Sequence, residues 1–184
     1  MAHSPPRSGQ PPIQQLQTVA DLLETPTLAR IYAHILHHDL VTVSEIVDEL
    51  DIPQGTAYDY IQKLETAGLV EKTREQRPYE YDAESISLTL STNGETQTIT
   101  PTLIAAIARR AEDDDIDVYI ERHGLDGLAV ALEYAYEYVD GTVNHRIAAR
   151  ELDLSPLEAE IILQALEPVA IEYADTSRSR ANAD

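Results

Sequence analysis

VTVSEIVDELDIPQGTAYDYIQKLETAGLVEKTREQRPYEYDA, residues 41–83, decides the fold of this chain. Thr42 and Glu45 have the spacing of a capping box, and Ile46, Val47 and Leu50 follow on one helical face. That first helix stops at Asp51-Ile52-Pro53, because proline disfavours the helical conformation in the residue before it. A longer helix from Gln54 to Ala67 sets Ala57, Ile61 and Leu64 inward at i, i+4 and i+7, and Gly68 ends it. Val70 to Glu75 and Tyr79 to Ala83 alternate as two strands, joined by the polar turn Gln76-Arg77-Pro78.

Two helices across a tight turn, followed by a hairpin, make a winged helix-turn-helix. The chain here resembles archaeal and bacterial winged-helix transcription regulators of the TrmB-like and ArsR-like kind. The phrases that carry the resemblance are Thr42-Val43-Ser44-Glu45-Ile46, Ile52-Pro53, Thr56-Ala57-Tyr58-Asp59 and Leu64-Glu65-Thr66-Ala67-Gly68-Leu69-Val70-Glu71. It covers residues 13–84, under half the chain, and implies a DNA-binding function in which the second helix reads the major groove.

The residues themselves fit that role. Opposite Ala57, Ile61 and Leu64 the second helix carries Gln54, Thr56, Tyr58, Asp59, Gln62 and Lys63. Gln pairs with adenine edges, Thr donates or accepts, and Asp accepts from cytosine. Lys63, Lys72, Arg74 and Arg77 cluster on this helix and the wing, where phosphate contacts would fix the register. A solvated hairpin face would show the same four charges. Tyr58 and Tyr60 suit either stacking on the nucleic acid or packing on the first helices, and Tyr79 and Tyr81 alternate with Glu80 so as to cover the core. Gly55 is costly in a helix and tolerable if the backbone must approach DNA.

The 184 residues hold 33 acids against 13 bases, a formal charge of -20, with eleven Arg and only two Lys, Lys63 and Lys72. Carboxylate-rich, lysine-poor composition looks like the cytoplasmic proteins of extreme halophiles. In molar salt the Debye length shrinks to about 3 Å, so dense like charge is screened and ceases to argue against a nucleic-acid partner. The absence of Cys excludes disulfides, thiol nucleophiles and Cys-based metal sites. No apolar run reaches the length of a membrane span and the start lacks a signal peptide's apolar core, so a cytoplasmic location is expected. Seven scattered glycines make no phosphate-cradling loop and no nucleophile motif appears, so the chain reads as no enzyme and needs no cofactor.

The expected fold class is mainly α with small β-hairpins (α+β), a winged helix-turn-helix followed by a helical C-terminal domain. A flexible arm is expected over 1–12, the DNA-binding domain over 13–84, a hairpin plus helical domain for dimerisation or sensing over 85–174, and a flexible tail over 175–184. Before the core stretch, Ile13, Leu16, Val19, Ala20 and Leu23 share a helical spacing, and a second helix after Thr25-Pro26 carries Leu28, Ile31, Ile35 and Leu36. After it, Ile86, Leu88 and Leu90 alternate toward a hairpin at Asn93-Gly94, with helices at 101–111, 116–122, 125–139, 143–152 and 156–173. Shifting the sequence by 102 residues lays Glu49-Leu50-Asp51-Ile52 on Glu151-Leu152-Asp153-Leu154, and Ala57, Gln62, Leu64 and Glu65 on Ala159, Gln164, Leu166 and Glu167. This predicts a degenerate helix-turn-helix-like unit over 143–167, with Ser155 and Glu158 as a capping box. Its second helix lacks Lys and Arg, so packing, dimerisation or a partner suits it better than DNA.

His34 and His38, four apart, have a spacing able to share a metal ion, and the ArsR-like resemblance implies metal sensing as a test. With no Cys and only Asp39 near in sequence, a solvent-facing histidine cluster is the plainer reading. The acidic run from Glu112 to Asp117 lacks EF-hand spacing. Tyr134, Tyr136 and Tyr138 cannot all face inward, so an interface or a ligand pocket is open there, with an exposed helix as the simpler reading. The expected partners are double-stranded DNA, a second copy of the chain, and an effector or protein at the C-terminal domain. The alternative is a winged helix that joins transcription or chromosome machinery through protein contacts without binding DNA.

Overall fold

The computed structural model describes residues 12–38, 40–74, 76–92 and 94–181. The arm expected over 1–12 lies outside them apart from Pro12, as do Asp39, Glu75, Asn93 and residues 182–184. The chain divides into two compact units between Ser85 and Ile86.

The first unit runs α1 (Pro12–Glu24), α2 (Pro26–His37), β1 (Val41–Thr42), α3 (Val43–Leu50), α4 (Gln54–Thr66), β2 (Val70–Lys72) and β3 (Glu80–Ala83). The strands form an antiparallel sheet in the order β1-β3-β2, with Val41 and Lys72 both opposite Tyr81. Strand β1 has too few residues to show an alternation and has no counterpart in the sequence reading. Leu28, Ile31, Tyr32, Ile35, Ile46, Ile61 and Leu64 are fully buried and make the core. The Tyr32 hydroxyl donates to the Glu84 carbonyl at 2.6 Å, pinning the end of the wing to α2.

Helix boundaries follow local chemistry. Thr42 and Glu45 form a reciprocal capping box, the Thr42 N–H donating to Glu45 Oε2 at 2.7 Å and the Glu45 N–H to Thr42 Oγ1 at 3.4 Å. Helix α3 ends at Leu50, three residues before Pro53, because Asp51 takes the left-handed conformation at φ 50, one that Asp tolerates better than most residues. Helix α4 ends in a Schellman motif: Gly68, at φ 72, donates to Glu65 O, and Leu69 donates to Leu64 O.

The Thr42 bonds hold the Glu45 carboxyl below the usual glutamate range. A lowered native value means that this contribution to stability is complete above the unfolded glutamate range and is lost as pH falls through the native value. Glu45→Gln is therefore expected to flatten the acid limb of stability against pH, measured by denaturant unfolding, and Thr42→Ala to cost about 1 kcal/mol at neutral pH.

One face was misassigned. Helix α1 turns Val19 and Leu22 into the core, while Ile13, Leu16 and Ala20 are exposed and Leu23 half-buried.

The second unit opens with the hairpin β4 (Leu88–Thr92) and β5 (Glu95–Ile99), followed by α5 (Pro101–Ala108), a 3-10 turn (Arg109–Ala111), α6 (Asp114–Val139), α7 (His145–Glu151) and α8 (Pro156–Ala181). Leu103, Ile104, Ile107, Ile116, Leu128, Leu163 and Leu166 form its core. Thr100 caps α5 through the Leu103 N–H, with Pro101 as first residue. The acidic run is a helix start: the Asp113 side chain accepts from Asp115 N–H, and Asp114, Asp115 and Asp117 occupy the first turn of α6, where carboxylates suit the helix dipole. Gly124, at φ 72, breaks α6 where two helices were expected. Helix α8 continues to Ala181, so the tail expected over 175–184 is helical up to that point; no Gly or Pro stands between Pro168 and Ala181 to stop it.

The 102-residue echo is geometric as well. Asp153 takes φ 54 where Asp51 takes φ 50, and Leu154 N–H donates to Ala149 O as Ile52 N–H does to Val47 O. Ala159, Leu163 and Leu166 are buried as Ala57, Ile61 and Leu64 are. Ser155 and Glu158 exchange bonds at 3.2 Å, the capping box expected of them.

Candidate nucleic-acid interface

Because Ala57, Ile61 and Leu64 are spent on the core, α4 presents its opposite side to solvent. Tyr58, Asp59, Gln62 and Lys63 are exposed there. Gln54, expected on the same side, lies instead on the side of Ala57 and Ile61, i, i+3 and i+7, and is exposed because it is the first residue of the helix. The centre of this face includes two residues that the sequence reading left out of its site, Gly55 and Thr66, both exposed. The Thr66 hydroxyl donates to Gln62 O at 2.8 Å. Thr56 is half-buried on the flank beside Tyr60 rather than on the outward face. Asp59, Gln62 and Lys63 border a polar groove whose other wall is Gln14, Gln17, Thr18 and Asp21 of α1. Tyr58 is 47% exposed, which leaves its ring available for contact, while Tyr60 is half-buried.

The four cations do not stand alone. Lys63 Nζ lies 2.6 Å from Asp21 of α1, Lys72 Nζ 3.8 Å from Glu65 of α4, and Arg74 3.3 Å from Glu80 of β3. Among the described residues, Arg77 has no carboxylate partner; its guanidinium sits 5.8 Å from the Tyr79 ring centre. Lys72 lies 4.3 Å from the same ring, so Tyr79 is half-buried between two cations while Tyr81 alone covers the core. Burial pushes the Tyr81 hydroxyl above the usual range. Nothing in the spacing signals the Lys63–Asp21 pair, whose members are far apart in sequence.

The histidine reading needs correcting. His37 and His38 are exposed, but the His34 side chain is only 8% exposed and faces Glu49 of α3. Burial first, and the neighbouring His38 second, lower its pKa below the ordinary histidine value, against the pull of Glu49.

In the second unit the tyrosines of α6 divide. Tyr136 is half-buried, its hydroxyl donating to Thr102 Oγ1 at 2.9 Å, and burial raises its pKa. It lines a hydroxyl-rich cleft with Thr96, Thr98, Thr100, Thr102 and Glu133. On α8, the outward face carries Leu157 (65% exposed) and Ile161 where the echo in α4 carries Gly55 and Asp59.

No helix among the described residues is long and apolar enough to cross a membrane. Residues 25–87 match the family model described as the sugar-specific transcriptional regulator TrmB, and residues 110–175 match a family of unknown function, DUF7437. The first match covers α2 through β3, the whole helix-turn-helix and wing. No curated protein and no solved structure matches the chain.

Proposed function

We propose that this chain is a sequence-specific DNA-binding transcription regulator that sets α4 in the major groove and the β2–β3 wing along the backbone. The observation that carries the reading is the outward face of α4, where Tyr58, Asp59 and Gln62 are exposed on a helix anchored by its opposite side, with Gln54 exposed at the helix's N-terminal end. The TrmB match over 25–87 supports it. Lys72, Arg77 and Tyr79 give the wing a cation-aromatic-cation edge suited to phosphate and sugar. A homodimer belongs to the proposal, since one winged helix reads only a short half-site, with α1 or the C-terminal unit as its surface. The cleft beside Tyr136 is where an effector would enter. The sugars in the TrmB description attach to no residue of that cleft, because the match ends at residue 87. The setting we propose is the salt-loaded cytoplasm of a halophile.

The alternative, a winged helix for protein contacts only, is favoured by the ion pairs that engage Lys63, Lys72 and Arg74. Selection from a pool of randomised duplexes in molar KCl separates the two. DNA binding predicts enrichment of one short motif; a pool left unenriched by the full chain refutes it. Gly55 adds a second measurement. A side chain at Gly55 would meet nothing within 4 Å among the described residues, so nothing described in the fold requires glycine at this position. Gly55→Ala is expected to stabilise the protein by at most about 1 kcal/mol in thermal melts, the helix-interior value, since Gly55 is in the first turn of α4, and to weaken binding to the selected duplex, because its methyl would stand between backbone and DNA.

A further inference from the structure

We propose that His34, His38 and Glu49 bind one divalent transition-metal ion of the zinc class, joining α2 to α3. One ligand atom from each of the three lies within 4.8 Å of the others. His34 and His38 stand one turn apart on α2 and its C-terminal edge, their ring centres 4.4 Å apart, and Glu49 comes from the neighbouring helix.

The buried member is what distinguishes this group from a surface cluster. His34 Nε2 is inaccessible to solvent and has no hydrogen-bond partner among the described residues. The nearest carboxylate oxygen, Glu49 Oε2, is 3.7 Å away, too far for a hydrogen bond. Buried polar atoms left unpaired are rare in folded proteins, and a metal ion would satisfy this one. The second histidine is set for the same purpose. His38 Nδ1 lies 3.0 Å from the His34 carbonyl, which only accepts, so Nδ1 carries the proton and Nε2 keeps its lone pair. A histidine ligand oriented by donating its other ring N–H to a backbone carbonyl is the usual arrangement in metal sites.

Two imidazoles and one carboxylate form a mixed nitrogen-oxygen set that suits zinc and its neighbours better than magnesium or calcium, which take oxygen ligands. Tetrahedral zinc with bonds of about 2.0–2.1 Å puts its ligands about 3.4 Å apart. The closing movement falls to His38 and Glu49, whose side chains are exposed, while His34 is held in place by packing. A fourth coordination position is left for water.

The test titrates the metal-free full chain with Zn2+ against a chromophoric chelator in molar KCl and excess Mg2+, which suppress loose binding by the acidic surface. The expected result is uptake of one equivalent and a melting temperature raised by several degrees. His38→Ala and Glu49→Gln, both at exposed positions, should each weaken Zn2+ at least tenfold with unchanged helicity, and the double variant should abolish stoichiometric uptake. His37→Ala, next in sequence but outside the group, should bind as the wild type does. Wild-type uptake well below one equivalent, undiminished uptake by the double variant, or an equal loss in His37→Ala overturns the proposal.

Discussion

Gln54→Ala combined with Gln62→Ala is expected to weaken binding to the selected duplex by about 2–6 kcal/mol, at about 1–3 kcal/mol for each lost bidentate base contact. The loss should appear at every salt concentration, because the two amides carry no charge. Binding to unrelated duplexes should hardly change, so the specificity ratio falls with the affinity. Charged positions behave differently. Each phosphate contact gives log affinity against log salt a slope of about -0.9, so Arg77→Ala is expected to make that slope shallower by about one contact. Lys63→Ala should change it less. Lys63 is held by Asp21, and any phosphate contact must first break that exposed pair, worth at most about 1 kcal/mol. Asp21→Asn should accordingly tighten binding and steepen the slope. Fluorescence anisotropy across a KCl series reads all four variants. A double Gln variant that binds as the wild type does, or one whose only change is in the salt slope, would remove α4 from the role proposed for it.

How much of this was legible in the sequence depends on how local the determining contact is. Thr42 with Glu45, Ser155 with Glu158, and Gly68 after α4 act over three or four residues, and each appears in the structure as the spacing indicated. The face of α1 was misassigned because its apolar residues satisfy a helical period in more than one rotation; what lies beneath, α2 and α4, selects Val19 and Leu22 over Ile13 and Leu16. Thr56 was placed on the outward face from angular spacing alone, and the body of the unit half-covers it. The site's electrostatics were the least legible part. The clustering of Lys63, Lys72, Arg74 and Arg77 was plain, but Asp21, Glu65 and Glu80 reach three of them through the tertiary fold. Glu49 is absent from the sequence reading of the histidines for the same reason.

Leu64→Ala and Leu166→Ala, equivalent positions in the two helix-turn-helix units, are each expected to cost about 2–5 kcal/mol, the range for truncating a fully buried leucine whose surroundings relax only partly. Both side chains have zero exposure. Domains of this size hold on the order of 5–10 kcal/mol in total, so either change should lower the melting temperature sharply. Hydrogen exchange should read the loss in α3 and α4 for the first variant and in α7 and α8 for the second. If Leu166→Ala costs under about 1 kcal/mol while Leu64→Ala costs several, the second unit resembles the first in backbone only. Equal costs would mean that the inner residues alone, Ala57, Ile61 and Leu64 with Ala159, Leu163 and Leu166, suffice to specify this arrangement twice in one chain. The outer residues are then free to differ: α4 offers Gly55 and Asp59 where α8 offers Leu157 and Ile161. On the proposed reading the shared inner set carries the packing and the divergent outer set the base contacts, so loss of DNA binding through Gln54 and Gln62 should leave the melting curve where it was.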